Sequence, residues 1–135
     1  MTAFPFASSA FPLTSLGTIL IVVFTFYFSI VVGKHRTNVK APAVSGDPEF
    51  EKAFRIHYNT IEQLVLFIPM IWLSAMYWGD QVSGGITGLW LIGRIIYARA
   101  YQKDPSTRSI GFMITLLALL AALVGACIPL VKMLF

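Results

Sequence analysis

Charge is what this chain has least of. Asp, Glu, Lys and Arg together make up 12% of its 135 residues, against roughly a quarter in soluble globular domains. Beside a 57% hydrophobic fraction, that scarcity excludes an ordinary soluble domain and points to an integral membrane protein. Cysteine is nearly missing too. The single Cys127 excludes an intramolecular disulfide, and its apolar run predicts a buried, inert thiol. No zinc-ligand spacing, P-loop, glycine-rich dinucleotide turn or Ser/His/Asp set occurs, which removes the common soluble chemistries and any metal site of ordinary spacing. Nine of the ten Lys and Arg residues fall in residues 34–55 and 94–108, with Lys132 apart. These bases flank hydrophobic runs, so they read as membrane-face charge and not as a nucleic-acid surface.

What is present is long and apolar. The length leaves room for one domain, residues 1–135. A lead of ten uncharged residues precedes a first run, Phe11 to Val32. That run is too long for a signal-peptide core and has neither a basic lead nor an A-x-A site, so it reads as a spanning helix. Residues 34–49 break the pattern with charge, Gly and two prolines. Asp47-Pro48 then gives an N-cap and a first-turn proline, opening a second helix to Trp78 with Pro69 inside it, where a kink is expected. Gly79-Asp80-Gln81 reads as a tight turn. A third helix follows from Ser83, with Gly84 and Gly88 at close-packing spacing. Asp104-Pro105 repeats the N-cap signature before the fourth, which carries Ala118/Ala122 and Ala121/Gly125 as close-packing pairs. The spans are about 11–33, 47–78, 83–102 and 105–131, and short connections predict an all-α, antiparallel four-helix transmembrane bundle. The basic loops lie on one side, which the positive-inside rule makes cytoplasmic, with both termini opposite.

Within the second span lies a polar stripe. Arg55, Asn59 and Glu62 stand at i, i+4 and i+7 and therefore share a helix face. Ionisable groups in a span face a protein interior or a wet cavity. A second cluster, Arg94, Tyr97 and Tyr101, shares a face of the third helix. Arg108 follows in the first turn of the fourth, where a cation opposes the helix dipole unless an anion sits nearby. Two readings stay open: a ligand site for a molecule carrying both signs of charge, or a buried structural pair of Arg94 with Glu62. Arg55 and Glu62 stand roughly 10 Å apart along the axis and so need separate partners. His57 lies off the stripe and reads as an interfacial histidine or a ligand contact. Arg99 and Lys103 read as headgroup contacts, and Trp72, Trp78 and Trp90 as belt or packing aromatics.

Two segments carry a family resemblance. SGDPEFEKAFRIHYNTIEQL, Ser45 to Leu64, resembles the (P)-E-F-E-R-x-x-R-x-x-x-N-x-x-E segment of the MAPEG family, the membrane-associated proteins of eicosanoid and glutathione metabolism. It matches at Glu49, Phe50, Glu51, Arg55, Asn59 and Glu62. GRIIYARAYQKDPSTRS, Gly93 to Ser109, is similar to the family's R-x-x-Y-x-x-x-Y followed by an arginine. The resemblance implies a homotrimer binding glutathione between subunits. Arg55, Asn59 and Glu62 would hold the peptide, with Arg94, Tyr97 and Tyr101 closing from a neighbouring subunit. Arg108 would stabilise the thiolate as the catalytic residue, and Lys34 and His57 stand where some members have further glutathione contacts. Gln63 replaces a tyrosine of the leukotriene-synthase type, and Tyr97 stands where the prostaglandin synthase has His. The Arg108-Ser109 pair is closer to the prostaglandin-synthase and microsomal-transferase types.

The implied activity is that of a membrane glutathione S-transferase, with peroxidase or isomerase chemistry open to the same thiolate. Glutathione would be co-substrate, no metal would be needed, and a hydrophobic electrophile or lipid hydroperoxide would arrive from the membrane lipid. Two rivals are a non-catalytic lipid-binding or scaffold protein of the same fold, and a small four-helix multidrug exporter using Glu62. The exporter leaves Arg55, Arg94, Tyr97 and Arg108 unexplained. Compact loops and the lack of a retention signal favour a bacterial inner membrane over an endoplasmic reticulum.

Overall fold

The computed structural model describes residues 10–135; the lead at 1–9 lies outside the described residues. Four helices follow one another: α1 Pro12–His35, α2 Pro48–Trp78, α3 Asp80–Lys103 and α4 Ser109–Leu134. Short 3-10 turns at Arg36–Asn38 and Pro105–Thr107 precede α2 and α4. α1, α2 and α4 are long and apolar enough to cross a membrane. α3 falls short of that hydropathy, yet its 24 residues pack against all three others. Its Ser83, Thr87, Arg94 and Tyr97 are buried, which lowers its hydropathy without exposing those groups.

The sequence signals for α2 are realised. The Asp47 carboxylate accepts from the Phe50 N–H at 2.9 Å, Pro48 takes the first position, and Glu51 reaches back to the Gly46 N–H at 2.8 Å. The expected turn at residues 79–81 is shorter than its composition suggests. Gly79 alone joins α2 to α3, at φ 80°, a backbone region that favours glycine. Asp80 is already helical, and its function is long-range. Its two carboxylate oxygens accept from the backbone N–H groups of Leu13 and Thr14, each at 2.8 Å. α1 has no side-chain cap of its own, so Asp80 satisfies two of the donors that a helix start leaves unpaired.

α4 also begins later than residue 105. Asp104 and Pro105 start only a 3-10 turn, Arg108 is the N-cap residue, and the α-helix opens at Ser109. The Asp104 carboxyl accepts the Ser106 N–H, which holds it below the usual carboxylate range.

Small residues let the helices close. A Cβ on Gly111 would overlap the backbone of Tyr97, and one on Gly93 would stand 2.9 Å from the Thr115 backbone nitrogen. α3 and α4 therefore cross in backbone contact. The expected pairing of Gly84 with Gly88 is half right: Gly84 packs on Leu13, while Gly88 faces open space. On α4 the buried stripe is Gly111, Thr115, Ala118, Ala122 and Ala126, which leaves Ala121 outside. Cys127 lies one residue, about 100°, beyond that stripe and is exposed, not buried. Trp90 is a core residue, stacked on Phe67 at 5.2 Å.

Three interior threonines bond within their own helix. Thr60, Thr87 and Thr115 each donate to the carbonyl four residues earlier, which hides a polar group without a second helix. Outside, Ile19, Val23, Phe26, Val65 and Leu117 are among many large apolar residues left exposed, a surface suited to lipid.

Removing the Asp80 carboxylate tests the tie between α1 and α3. Asp80→Ala removes the carboxylate that caps the first turn of α1 and should lower the Tm in detergent. An unchanged Tm would show that water caps α1 equally well.

Candidate functional site

The site is built where α2, α3 and α4 meet near the loop end. Because one residue joins α2 to α3, the two run side by side, and Asn59 comes opposite Tyr97. The Asn59 amide donates to the Tyr97 hydroxyl oxygen at 2.6 Å. That leaves the Tyr97 O–H proton free to point into the adjoining space.

One turn earlier on α3 sits Arg94, 1% exposed. Its Nη2 donates to Thr60 Oγ1 at 2.9 Å, and Thr60 passes the bond to the Ile56 carbonyl at 2.7 Å. The guanidinium lies over the Tyr97 ring at 4.2 Å from its centroid. Its Nε and Nη1 have no hydrogen-bond partner. Among the described residues the one ion pair is Lys52 with Glu49, so no acid compensates this charge. The alternative pairing of Arg94 with Glu62 is thereby corrected. Thr60 and Glu62 are two residues apart, about 200° around the helix. The face that reaches Arg94 is the one Glu62 turns away from.

From Tyr97 the cluster extends outward. The Tyr101 ring lies 5.6 Å from it, and the Arg108 guanidinium stands over Tyr101 at 5.5 Å. Arg108 Nη1 donates to the Pro105 carbonyl at 3.1 Å, which ties the exposed side chain to the 3-10 turn. α4 has no side-chain cap, so its first backbone N–H groups remain open to an anion. Asn59, Tyr97, Arg108, Ser109, Phe112 and Met113 line a cavity of about 460 Å³. One end of it carries positive charge and donors, the other apolar side chains.

The structure brings together Asn59, Arg94, Tyr97, Tyr101 and Arg108 within one chain. Arg94, Tyr97 and Tyr101 therefore do not need a neighbouring subunit to reach Asn59, contrary to the expectation from resemblance. Arg55 and Glu62 share the Asn59 flank but are exposed and do not line the cavity. His57 points about 200° away from Asn59, into a groove of about 310 Å³ beside Val22, Phe26 and Ser29 of α1. Lys34 is exposed in the last turn of α1. Thr60, Phe112 and Met113 were not legible as site residues. Thr60 is in helical phase with the buried Phe67 and Ile71, and that periodicity is the signal that marks it as interior.

A cavity with an arginine at a bare helix start, a tyrosine donor and an apolar wall can hold an anion against a hydrophobic partner. The family model for MAPEG matches residues 14–128. The chain belongs to the MAPEG family. Among its MAPEG relatives, human microsomal glutathione S-transferase 2 is 39% identical over 102 residues, 72% of this chain and 69% of that one. Rat leukotriene C4 synthase is 31% identical over 93 residues, 67% of this chain and 62% of that one. An uncharacterized protein of Synechocystis sp. is 37% identical over 116 residues, 84% and 82% of the two chains. This places the MAPEG chain among glutathione-related membrane enzymes.

The support beneath Arg94 can be tested by stability. Thr60→Val removes the guanidinium's hydrogen bond and keeps the volume, and should cost about 1.5–3 kcal/mol, the scale for bonds to charged groups. Arg94→Met removes the charge together with its need for partners and should cost less. Melting in detergent checks the order of the two.

Proposed function

We propose that this MAPEG protein is a membrane glutathione S-transferase. The observation that carries the reading is the cavity where Arg108, at the uncapped start of α4, meets Asn59 and Tyr97. Similarity to a microsomal glutathione transferase and to a leukotriene synthase supports glutathione as the co-substrate.

A free thiol of pKa ~8.5 is only a few per cent ionised at neutral pH. Lowering it by two units requires roughly 2.7 kcal/mol of preference for the thiolate. Arg108 and the open N–H groups of α4 supply positive potential on one side of the cavity, and the Tyr97 hydroxyl donates from another. In a partly dry site such groups act more strongly than in water. The thiol proton leaves to solvent. The sulfur then forms a bond to the electrophilic carbon, whose leaving group departs with the electron pair. For a hydroperoxide, attack falls on the outer oxygen, the O–O bond breaks to release the alcohol, and a second glutathione converts the resulting sulfenic acid to the disulfide and water, the peroxidase reaction open to the same thiolate.

The outlying residues fit an assembly. Arg55, Glu62, His57 and Lys34 lie on outer faces of one chain. In a homotrimer, a neighbour set against α2 would bring its own His57 and Lys34 towards the Arg55–Glu62 flank and close the site around glutathione's charged ends. The likeness to a Synechocystis protein favours a bacterial membrane, and the basic loop end would face the cytoplasm.

Titrating glutathione against pH while following thiolate ultraviolet absorbance tests the proposal. The native protein should form thiolate well below the free pKa, and Arg108→Leu should shift it back and lower turnover at least a hundredfold while leaving glutathione binding within a few-fold. A native-like thiolate in Arg108→Leu would remove Arg108 from this role.

A further inference from the structure

Lys132 is the one base outside the two basic segments. It lies exposed in the last turn of α4. Counted from Arg108 at the loop end, it is 24 residues on, about 36 Å along the helix. The hydrocarbon of a bilayer is roughly 30 Å thick, and about 40–45 Å with its headgroups. Lys132 therefore stands at headgroup level in the leaflet opposite the basic loops. The carbonyls that end α4 favour a cation there. The acid at this end of the bundle is Asp80, and both of its carboxylate oxygens are taken by the backbone N–H groups of α1. Among the described residues the one ion pair is Lys52 with Glu49, at the other end. The Lys132 ammonium thus meets no acid among them.

The surroundings of this lysine are held in place. Pro129 lies inside α4 and has no N–H to give the Gly125 carbonyl four residues earlier. The Trp78 indole N–H donates to that carbonyl instead, at 2.8 Å. The ends of α2 and α4 are fastened by this bond, and they sit close, since a Cβ on Gly125 would fall 2.5 Å from Ser74 Oγ. The bond also fixes the Trp78 ring and spends its only donor. Tyr77, Trp78, Ile128, Pro129 and Lys132 enclose a depression of about 230 Å³. Its walls are an indole, a phenol, an isoleucine and a proline, its charge is one ammonium, and no carboxylate lines it.

We propose that this depression seats the headgroup of an anionic phospholipid, with the phosphodiester on Lys132 between the ends of α2 and α4. Charge selects the headgroup. A phosphate finds a cation, whereas the ammonium of a zwitterionic headgroup finds no acid to balance it. The depth and the apolar walls select a lipid over a free anion, because the glycerol and the upper chains continue along the exposed Ile128. Aromatic rings and a lysine at this level suit the boundary between headgroup and hydrocarbon. Basic pockets between spanning helices hold anionic headgroups by the same physics. The bound lipid would join the two helix ends that the Trp78–Gly125 bond already joins. The site lies at the opposite end of the bundle from the Arg108 cavity and stands independently of the transferase reading.

Trp78 is a reporter built into the site. Phospholipids with brominated chains quench an indole they touch, and Trp72 and Trp90 stand deeper in the bundle. The full-length protein is placed in phosphatidylcholine nanodiscs containing brominated phosphatidylglycerol or, at equal mole fraction, brominated phosphatidylcholine. Quenching of the native protein should show a preference for phosphatidylglycerol of roughly fivefold, the scale of one lysine near a membrane surface. Lys132→Gln should bring the preference close to one, and Lys132→Arg should keep it. Lys103→Gln, at the loop end, should leave it unchanged. A native preference near one, or one that survives Lys132→Gln, overturns the proposal. A preference that falls equally in Lys103→Gln also overturns it, because the attraction is then general and not seated at Lys132. So does an indole that neither lipid quenches, since a second copy of the chain or another protein then covers this face. Glutathione turnover plays no part in the readout, so failure here leaves the transferase reading untouched.

Discussion

A guanidinium with no acidic partner, held in the middle of a membrane bundle, is the constraint around which this protein is arranged. Arg94 is buried among α2, α3 and α4, and its support is a hydroxyl, an aromatic face and nothing of opposite sign. An unpaired charge in such a medium is costly, so the surroundings are built to lessen the cost. Thr60 hands the bond to its own backbone. Tyr97 lends the negative face of its ring. α3 can hold this residue because the other three helices surround it, which is also why its hydropathy is the lowest of the four.

The same crowding sets the geometry of the cavity. Gly111 has no Cβ because the Tyr97 backbone occupies that space. With α4 drawn so close, its uncapped start and Arg108 come level with Tyr97 and Asn59. An attractive field for an anion thus arises from packing: three helices are brought together at the one depth where their polar groups coincide. An arginine at a helix start would be a local liability in most proteins. Here it faces a space that an anion can fill.

How much of this was legible depended on whether the cause was local. Asp47-Pro48 marks a helix start by chemistry within four residues, and it was readable. The stripe and the tyrosine cluster were readable from helical spacing, since period alone assigns a face. Asp80 was not. Its neighbours suggest a turn, and its actual partners are 66 and 67 residues away. Asp104-Pro105 has the same local signature as Asp47-Pro48 but yields only a 3-10 turn, because the crossing of α3 and α4 decides where α4 can begin. Cys127 and Ala121 were misplaced for a further reason. In a run apolar on every side, nothing in the residues distinguishes the face that meets protein from the face that meets lipid. The pairing of Arg94 failed because charge suggested Glu62 as a partner, whereas helix geometry offered Thr60.

The two ends of the bundle differ in kind, and this has a mechanical consequence. At the end away from the basic loops, Gly79 is the whole of the α2–α3 connection, and Asp80 fastens the first turn of α1 to the first turn of α3. At the other end, α1 and α2 are joined by residues 36–47. α1 and α2 are therefore clasped at the base and free to part at the loop end, whereas α3 and α4 are held together there by the close approach of Gly111 to Tyr97. A parting of α1 from α2 would be a pivot about Asp80, small at the clasp and largest at the long loop.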